Sequence, residues 1–101
     1  MPDHRVTFVR VYLTEGEGRL RKLLSCLHDE EKVRGVTVFR GVSGFGRSGR
    51  MHSASLLELS GDLPLVIEFF DEPDKVARIL EHLRAQVEPG HAVSWAATVH
   101  E

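Results

Sequence analysis

Two stretches of the chain carry the hydrophobic spacing of amphipathic helices, and each lies between β-rich runs. In both, apolar residues recur at i, i+3, i+4 and i+7, which places them on one side of a helix. They are Leu20, Leu23, Leu24 and Leu27 in the first stretch, and Val76, Ile79, Leu80, Leu83 and Val87 in the second. Each predicted helix therefore has one apolar side to bury, and a sheet is the partner that the flanking runs provide.

Four runs rich in β-branched and aromatic residues predict the strands of that sheet: 5–13, 36–42, 64–70 and 92–99. With the helices between them the order is βαββαβ. Two helices at these positions can both cover one face of a four-stranded antiparallel sheet, so the sequence predicts an α+β, ferredoxin-like sandwich. The other face of the sheet is then left without a helix.

The first predicted strand already divides its residues between two faces. Val9, Val11 and Leu13 alternate on one face, which suits a dry core. The opposite face carries Phe8, Arg10 and Tyr12, which suits a protein interface or a wet cavity better than a core. Because small domains gain stability by burying an exposed sheet face, we expect the protein to form oligomers.

Local signals predict the helix ends. Thr14 and Glu17 have the spacing of a capping box for the first helix, and Gly35 is predicted to end it. Acidic residues precede or begin the second helix, where they favour its positive end; they are Asp71, Glu72 and Asp74.

Length and composition exclude several classes of protein. A chain of 101 residues that is 42% hydrophobic fits a single domain over 1–101. A net charge of −2 argues against a general nucleic-acid binder. The single cysteine, Cys26, permits no intrachain disulfide, and the chain shows neither a secretory segment nor a membrane-length apolar span. We therefore expect a cytoplasmic protein that does not insert into membranes.

The connection between the second and third predicted strands, at about 43–62, is several times longer than an ordinary hairpin loop, and such loops are commonly functional or mobile. No acidic residue occurs between Glu31 and Glu58, whereas basic residues do. The loop reads Gly44, Phe45, Gly46, Arg47, Ser48, Gly49, Arg50 and then, after Met51, His52. Glycines permit close backbone approach and guanidinium groups match phosphate or carboxylate geometry, so an anionic ligand is one interpretation. A solvated flexible loop is the other.

Three segments together resemble the PII signalling family: Gly35 to Val38, the run Gly44-Phe45-Gly46-Arg47, and Val66-Ile67-Glu68 before a helix. More closely, residues 10–13 and 39–71 resemble the PII-like family DUF190. The resemblance implies a trimer with nucleotide in the clefts between subunits, and makes the loop at 43–62 a T-loop.

The resemblance also implies site residues. Gly44, Gly46 and Arg47 would lie beside the phosphates, and Thr37 and Glu68 would contact the nucleoside from the neighbouring subunit. The full predicted nucleotide-binding set is Thr37, Gly44, Phe45, Gly46, Arg47, Arg50, His52 and Glu68. The adenine nucleotide is expected as an effector, with no tightly bound cofactor.

Two departures from the PII pattern bear on the ligand. Ser48 replaces a glutamine that helps PII proteins hold magnesium and 2-oxoglutarate, and Glu88 to His91 replace a basic phosphate-binding segment. AMP, ADP or a cyclic nucleotide is therefore expected in preference to ATP. The tyrosine that is modified in PII T-loops is absent as well, so regulation by uridylylation is not expected.

Other residues keep more than one interpretation. Antiparallel first and last strands would bring His4 near His100, either as a metal site or as two exposed termini. Glu68, central in an apolar strand, needs a partner that is either a buried arginine or a ligand. Arg10 and Arg40 fit interface charges or anion contacts, and Tyr12 and Trp95 fit packing at a sheet face better than ligand stacking.

Three functions remain open from the sequence. The first is a trimeric, non-catalytic sensor whose loop reports nucleotide binding to a partner such as a transporter or enzyme. The second is a small enzyme acting on an anionic metabolite, with His52 as general acid or base. The third is a divalent-metal binder like the trimeric cation-tolerance proteins of the same topology.

Overall fold

The computed structural model describes residues 2–14, 18–45, 51–53 and 63–101. Within these residues the strands are β1 (His4–Thr14), β2 (Val36–Arg40), β3 (Ser43–Phe45), β4 (Met51–Ser53), β5 (Pro64–Asp71) and β6 (Ala92–Val99). The helices are α1 (Leu20–Ser25), which continues into a π-helical segment (Cys26–Glu30), and α2 (Pro73–Leu83). The four predicted strands and two predicted helices are present, so the βαββαβ order is confirmed.

The four long strands form one antiparallel sheet in the order β2-β5-β1-β6. β1 lies in its interior, where Val9 pairs with Phe69 of β5 and Phe8 pairs with Trp95 of β6. β2 and β6 lie at its two edges. The predicted ferredoxin-like sheet is confirmed. The short strands β3 and β4 were not predicted; they pair with each other in a separate two-stranded sheet.

The hydrophobic core lies between one face of the sheet and the helices, because alternate strand residues and the predicted helix faces point into the same space. Its buried members from the sheet include Val9, Val11, Leu13, Ile67 and Phe69. Those from the helices include Leu23, Leu27, Val76, Ile79 and Leu83. The face of β1 that was predicted to enter the core does so. We call the opposite side of the sheet, which the helices do not cover, the open face.

The predicted ends of the first helix are wrong. Thr14 belongs to β1, and α1 begins at Leu20 after Arg19, whose side chain does not cap the helix; Glu17 lies outside the described residues. The helical turns end before Gly35, because Lys32 adopts a left-handed conformation with φ of 53°. A tertiary contact supports that conformation: Lys75 Nζ donates to the Lys32 carbonyl oxygen over 2.8 Å.

The acidic start of the second helix is confirmed. Glu72 is its cap residue and Asp74 lies in its first turn. Asp71 ends β5 and is buried, with 3% of its surface exposed. Its Oδ1 accepts a hydrogen bond from the backbone N–H of Glu72 over 2.8 Å, which satisfies one of the free donors at the helix start.

Candidate functional site

Strand register arranges the open face in rows that run across the sheet, because residues paired in register point to the same side. One row, which we call the polar row, consists of Val93, Arg10, Glu68 and Thr37, on β6, β1, β5 and β2 in turn. The rows on either side are apolar or aromatic. Trp95, Phe8 and Phe70 form the aromatic row, and Tyr12, Val66 and Phe39 form the third row.

An ion pair occupies the middle of the polar row. Arg10 Nε donates to Glu68 Oε2 over 2.7 Å. The Arg10 side chain is 44% exposed and that of Glu68 is 19% exposed. Hydrogen bonds with Glu68 and, secondarily, with Tyr12 raise the pKa of Arg10 above its usual value. The partner of Glu68 is therefore an arginine of the same chain, but it is exposed at the surface of the sheet and not buried as predicted.

Thr37 lies beside Glu68 on the edge strand β2. The two residues are direct partners in the β2–β5 register, and Thr37 is exposed. These are the two residues that the family resemblance assigned to the nucleoside. The structure thus brings them together on the open face, on the edge strand β2 and its neighbour β5.

The chain leaves β2 toward the loop through Gly41, whose backbone N–H donates to the Pro64 carbonyl oxygen over 2.7 Å. A Cβ at residue 41 would lie 2.7 Å from Cγ of the Pro64 ring, so this close approach requires glycine. Gly44 and Phe45 follow in β3, where they pair with His52 and Met51 of β4. The Phe45 side chain is 68% exposed. The base of the long loop is therefore a hairpin-like ladder next to the start of β5.

Gly46 and Arg47, which were predicted to lie beside the phosphates, are outside the described residues, as is Arg50 of the predicted nucleotide-binding set. For His52 the structure describes the backbone pairing alone. The phosphate half of the predicted site therefore remains a prediction.

The aromatic row was missed as a unit by sequence reasoning. The Phe8 ring stacks on Phe70 with centroids 5.0 Å apart and on Trp95 with centroids 5.4 Å apart. Arginines approach the two outer rings: Arg34 Cζ lies 5.5 Å from the Phe70 centroid and Arg10 Cζ lies 5.7 Å from that of Trp95. Strand alternation placed Phe8 on this face. That its ring meets Phe70 and Trp95 follows only from the register of β1 with β5 and β6.

The histidines near the sheet end contact carboxylates. His4 Nδ1 lies 3.3 Å from Glu101 Oε1, and His100 Nδ1 lies 3.2 Å from Asp3 Oδ2. The antiparallel pairing of His4 with Val99 does bring the two histidines to one sheet end. Among the residues that the structure describes, no group of three or more histidine, cysteine or acidic side chains is arranged to hold a metal ion.

A cleft of about 610 Å³ lies between the first helical region and the start of β2, and its lining includes Leu24, His28 and Arg34. Of the predicted nucleotide-binding residues whose side chains the structure describes, none lines it. Thr37 and Glu68 instead lie on a sheet surface that is open on one side.

The DUF190 family model, whose description is "Uncharacterized ACR", matches residues 6–99. The chain belongs to the DUF190 family. A UPF0166 protein of Methanocaldococcus jannaschii is 31% identical to this DUF190 protein over 83 residues, which are 78% of this chain and 76% of that relative. A UPF0166 protein of Aquifex aeolicus is 35% identical over 57 residues, or 56% of this chain and 54% of the relative. The match with the Aquifex protein thus spans about half of its length.

Solved structures share the fold of this DUF190 protein. CPII of Thiomonas intermedia, a nitrogen regulatory PII-like protein bound to ADP, AMP and bicarbonate, superposes with a TM-score of 0.68 at 19% identity, over 97% of this chain and 89% of that one. CutA1 of Oryza sativa gives 0.64 at 14% identity, over 96% and 82%. The periplasmic divalent cation tolerance protein CutA of Archaeoglobus fulgidus gives 0.61 at 11% identity, over 95% and 85%. The resemblance to DUF190 and the PII-like fold predicted from the sequence are confirmed.

A membrane-spanning helix is not found in the described part of this DUF190 protein, where the helices are too short and too polar for that role.

Proposed function

We propose that this DUF190 protein is a non-catalytic sensor of the PII type that binds an adenine nucleotide, with AMP, ADP or a cyclic nucleotide preferred to ATP. The observation that carries the proposal is the side-by-side placement of Thr37 and Glu68 on the open face. They lie on the two strands that lead into and out of the glycine-rich and arginine-rich loop. The fold likeness to CPII, which was solved with ADP and AMP, supports the class of ligand.

The chemistry divides the site into two halves. A hydroxyl and a carboxylate at Thr37 and Glu68 suit the hydrogen-bonding groups of a nucleoside, since a carboxylate accepts from amino and hydroxyl donors. Glycine backbone and guanidinium groups suit phosphate oxygens. The proposed phosphate half and its surroundings consist of Gly44, Phe45, Gly46, Arg47, Arg50 and His52.

A sheet face that is open on one side encloses no small ligand by itself, so the proposed site needs a second surface. We assign that surface to a neighbouring copy in a homotrimer, because the open face exposes large apolar side chains that favour burial. They include Phe39 at 48%, Val93 at 44% and Trp95 at 41% exposed. Nucleotide contacts would order the loop at 43–62 and change its contact with a partner, such as a transporter or an enzyme.

Calorimetric titration of the purified protein with AMP, ADP, ATP and cyclic AMP, each with and without bicarbonate, tests this function. Saturable binding of at least one adenylate is the expected result. Absence of binding, with thermal stabilisation by divalent metal ions alone, would favour a cation-binding role. Turnover of an added nucleotide would instead favour catalysis with His52 as the first candidate residue.

Replacing Arg47 by Ala tests the phosphate half. We expect the affinity for the bound adenylate to fall by about 1.5–3 kcal/mol, the scale of a lost hydrogen bond to a charged group. Arg78→Ala is the matched control, because Arg78 is exposed on α2, on the helical side of the sheet. Equal affinities of Arg47→Ala and the unmodified protein would remove this residue from the site.

A further inference from the structure

The Arg10–Glu68 ion pair lies between two apolar rows. Phe8 and Phe70 flank it on one side, and Tyr12 and Val66 on the other. An ion pair at a surface contributes little to folding stability. If an assembly covers the open face, the pair has to be desolvated, which costs more. Folding stability alone therefore does not account for a charge pair at this position.

Arg10 is held from two directions. Its Nε donates to Glu68 Oε2, and its Cζ lies 5.7 Å from the Trp95 ring centroid. A planar guanidinium with fixed contacts has little freedom to rotate. The Glu68 carboxylate is therefore held by an anchored group rather than by a mobile one.

The carboxylate stands between Arg10 and Thr37. Arg10 is its register partner on β1 and Thr37 is its register partner on β2. The bond from Arg10 uses the Oε2 oxygen, and a carboxylate has a second acceptor oxygen, here Oε1. A carboxylate that is oriented before a ligand arrives binds a hydrogen-bond donor with a smaller entropy cost than a free one.

We propose that Arg10 is a positioning residue of the nucleotide site, which acts by orienting the Glu68 carboxylate toward a hydrogen-bond donor of the nucleoside. This rests on the proposed function. The donor is an amino group of the base or a hydroxyl of the ribose, because an ionised carboxylate accepts hydrogen bonds from both kinds of group. Arg10 itself need not touch the ligand.

A double-mutant cycle tests the proposal with AMP as the probe. We expect Arg10→Gln to weaken AMP binding roughly five- to tenfold and Glu68→Gln roughly tenfold, the scale of one hydrogen bond to a charged group. When Glu68 is already Gln, Arg10→Gln should not weaken AMP binding further, because Arg10 acts only through the Glu68 carboxylate. Arg10→Lys keeps the positive charge but lacks the planar guanidinium group. It should therefore weaken AMP binding less than Arg10→Gln does. Arg78→Gln is the control.

Nucleotide analogues identify the donor. If the base amino group is recognised, IMP binds more weakly than AMP to the unmodified protein and the difference shrinks in Arg10→Gln. If a ribose hydroxyl is recognised, 2′-deoxy-AMP or 3′-deoxy-AMP shows the same pattern. The proposal is overturned if none of the three analogues shows it, or if the losses of affinity from Arg10→Gln and Glu68→Gln multiply in the double variant.

Two further measurements keep the outcomes separate. Should Arg10→Gln alter the oligomeric state, Arg10→Lys takes its place in the cycle, since it keeps the positive charge and removes the planar guanidinium that bonds Glu68. An unmodified protein that binds no adenylate overturns the proposed function together with this inference. Adenylate binding that is insensitive to Arg10→Gln overturns the inference and leaves the proposed function intact.

Discussion

At the scale of single residues, burial separates side chains that can meet a ligand from those that cannot. Cys26 illustrates the second group. Only 6% of its surface is exposed, and it packs in the core with Leu23 and Leu27. Burial, more than the nearby acidic residues, raises the pKa of its thiol. A buried thiol with a raised pKa carries little thiolate, so Cys26 has neither the access nor the ionisation of a nucleophile.

We therefore expect Cys26 to react slowly with an aromatic disulfide reagent at pH 7.5. The rate in the native protein should be on the order of a hundredfold or more below that in guanidinium chloride, because reaction requires local opening of the core. Reaction is followed by absorbance of the released thiolate, with Cys26→Ser as the blank. Comparable rates in the folded and unfolded protein would contradict this assignment.

At the scale of elements, one carboxylate ties three segments together. Asp71, at the end of β5, accepts from the N–H of Glu72 over 2.8 Å and from that of Arg34 over 3.2 Å, and pairs with Lys75 Nζ at 3.0 Å. It thereby connects the start of α2 with the segment that leads into β2. Burial by itself would raise the pKa of Asp71, but the hydrogen bond from Glu72, with those from Lys75 and Arg34, lowers it below its usual value.

Replacing Asp71 by Asn should lower the free energy of unfolding at pH 7 by about 1–3 kcal/mol, because a buried charged acceptor is lost. A lowered native pKa means that the stabilisation is present above the unfolded-state value near 3.8 and is lost as the pH falls through the native value. The difference between Asp71→Asn and the unmodified protein should therefore shrink below pH 4.

Urea denaturation at pH 7 and pH 3 measures both parts of this prediction. Asp74→Asn is the matched control, because Asp74 lies exposed in the first turn of α2 and should cost less than about 0.5 kcal/mol. An equal decrease in the free energy of unfolding of the two variants would show that the helix dipole accounts for the effect, rather than the contacts of Asp71 with the segment before β2.

The elements also show where local sequence signals fail. The apolar spacing located both helices and the β-branched runs located the four long strands, because both periodicities follow from backbone geometry. The capping-box pattern at Thr14 and Glu17 did not start a helix, since β1 continues through Thr14. The left-handed Lys32 was not predictable either, because its support comes from Lys75, 43 residues further along the chain.

At the scale of the whole molecule, the two faces of the sheet have different surroundings. One face is buried by α1, the π-helical segment and α2, whereas the open face keeps exposed apolar side chains next to the Arg10–Glu68 pair. Exposed apolar patches on a sheet of this kind favour association. The proposed trimer would cover them and would give the nucleotide site its second surface.

Val93→Glu tests whether the open face is that interface. A carboxylate at this position, which is 44% exposed on β6 opposite Arg10, should shift the protein from the proposed trimer toward smaller species in analytical ultracentrifugation, because it would be desolvated between copies and would compete with Glu68 for Arg10. Ser94→Glu is the matched control, since Ser94 is the next residue on the same strand, points to the other side and is exposed. Equal sedimentation of both variants and the unmodified protein would argue against this face as the interface.

The sequence by itself determined the order of elements, the core-facing residues of β1 and both helices, and the resemblance to DUF190. These follow from short-range periodicity and from motifs that are contiguous in the chain. The resemblance in turn implied Thr37 and Glu68 as ligand residues, which stays a prediction. Only the tertiary structure decided that Arg10 meets Glu68 across 58 residues, that Thr37 completes their row, and that three aromatic rings stack beside it. The physical reason is that strand register depends on how the whole core packs, and no local pattern encodes it.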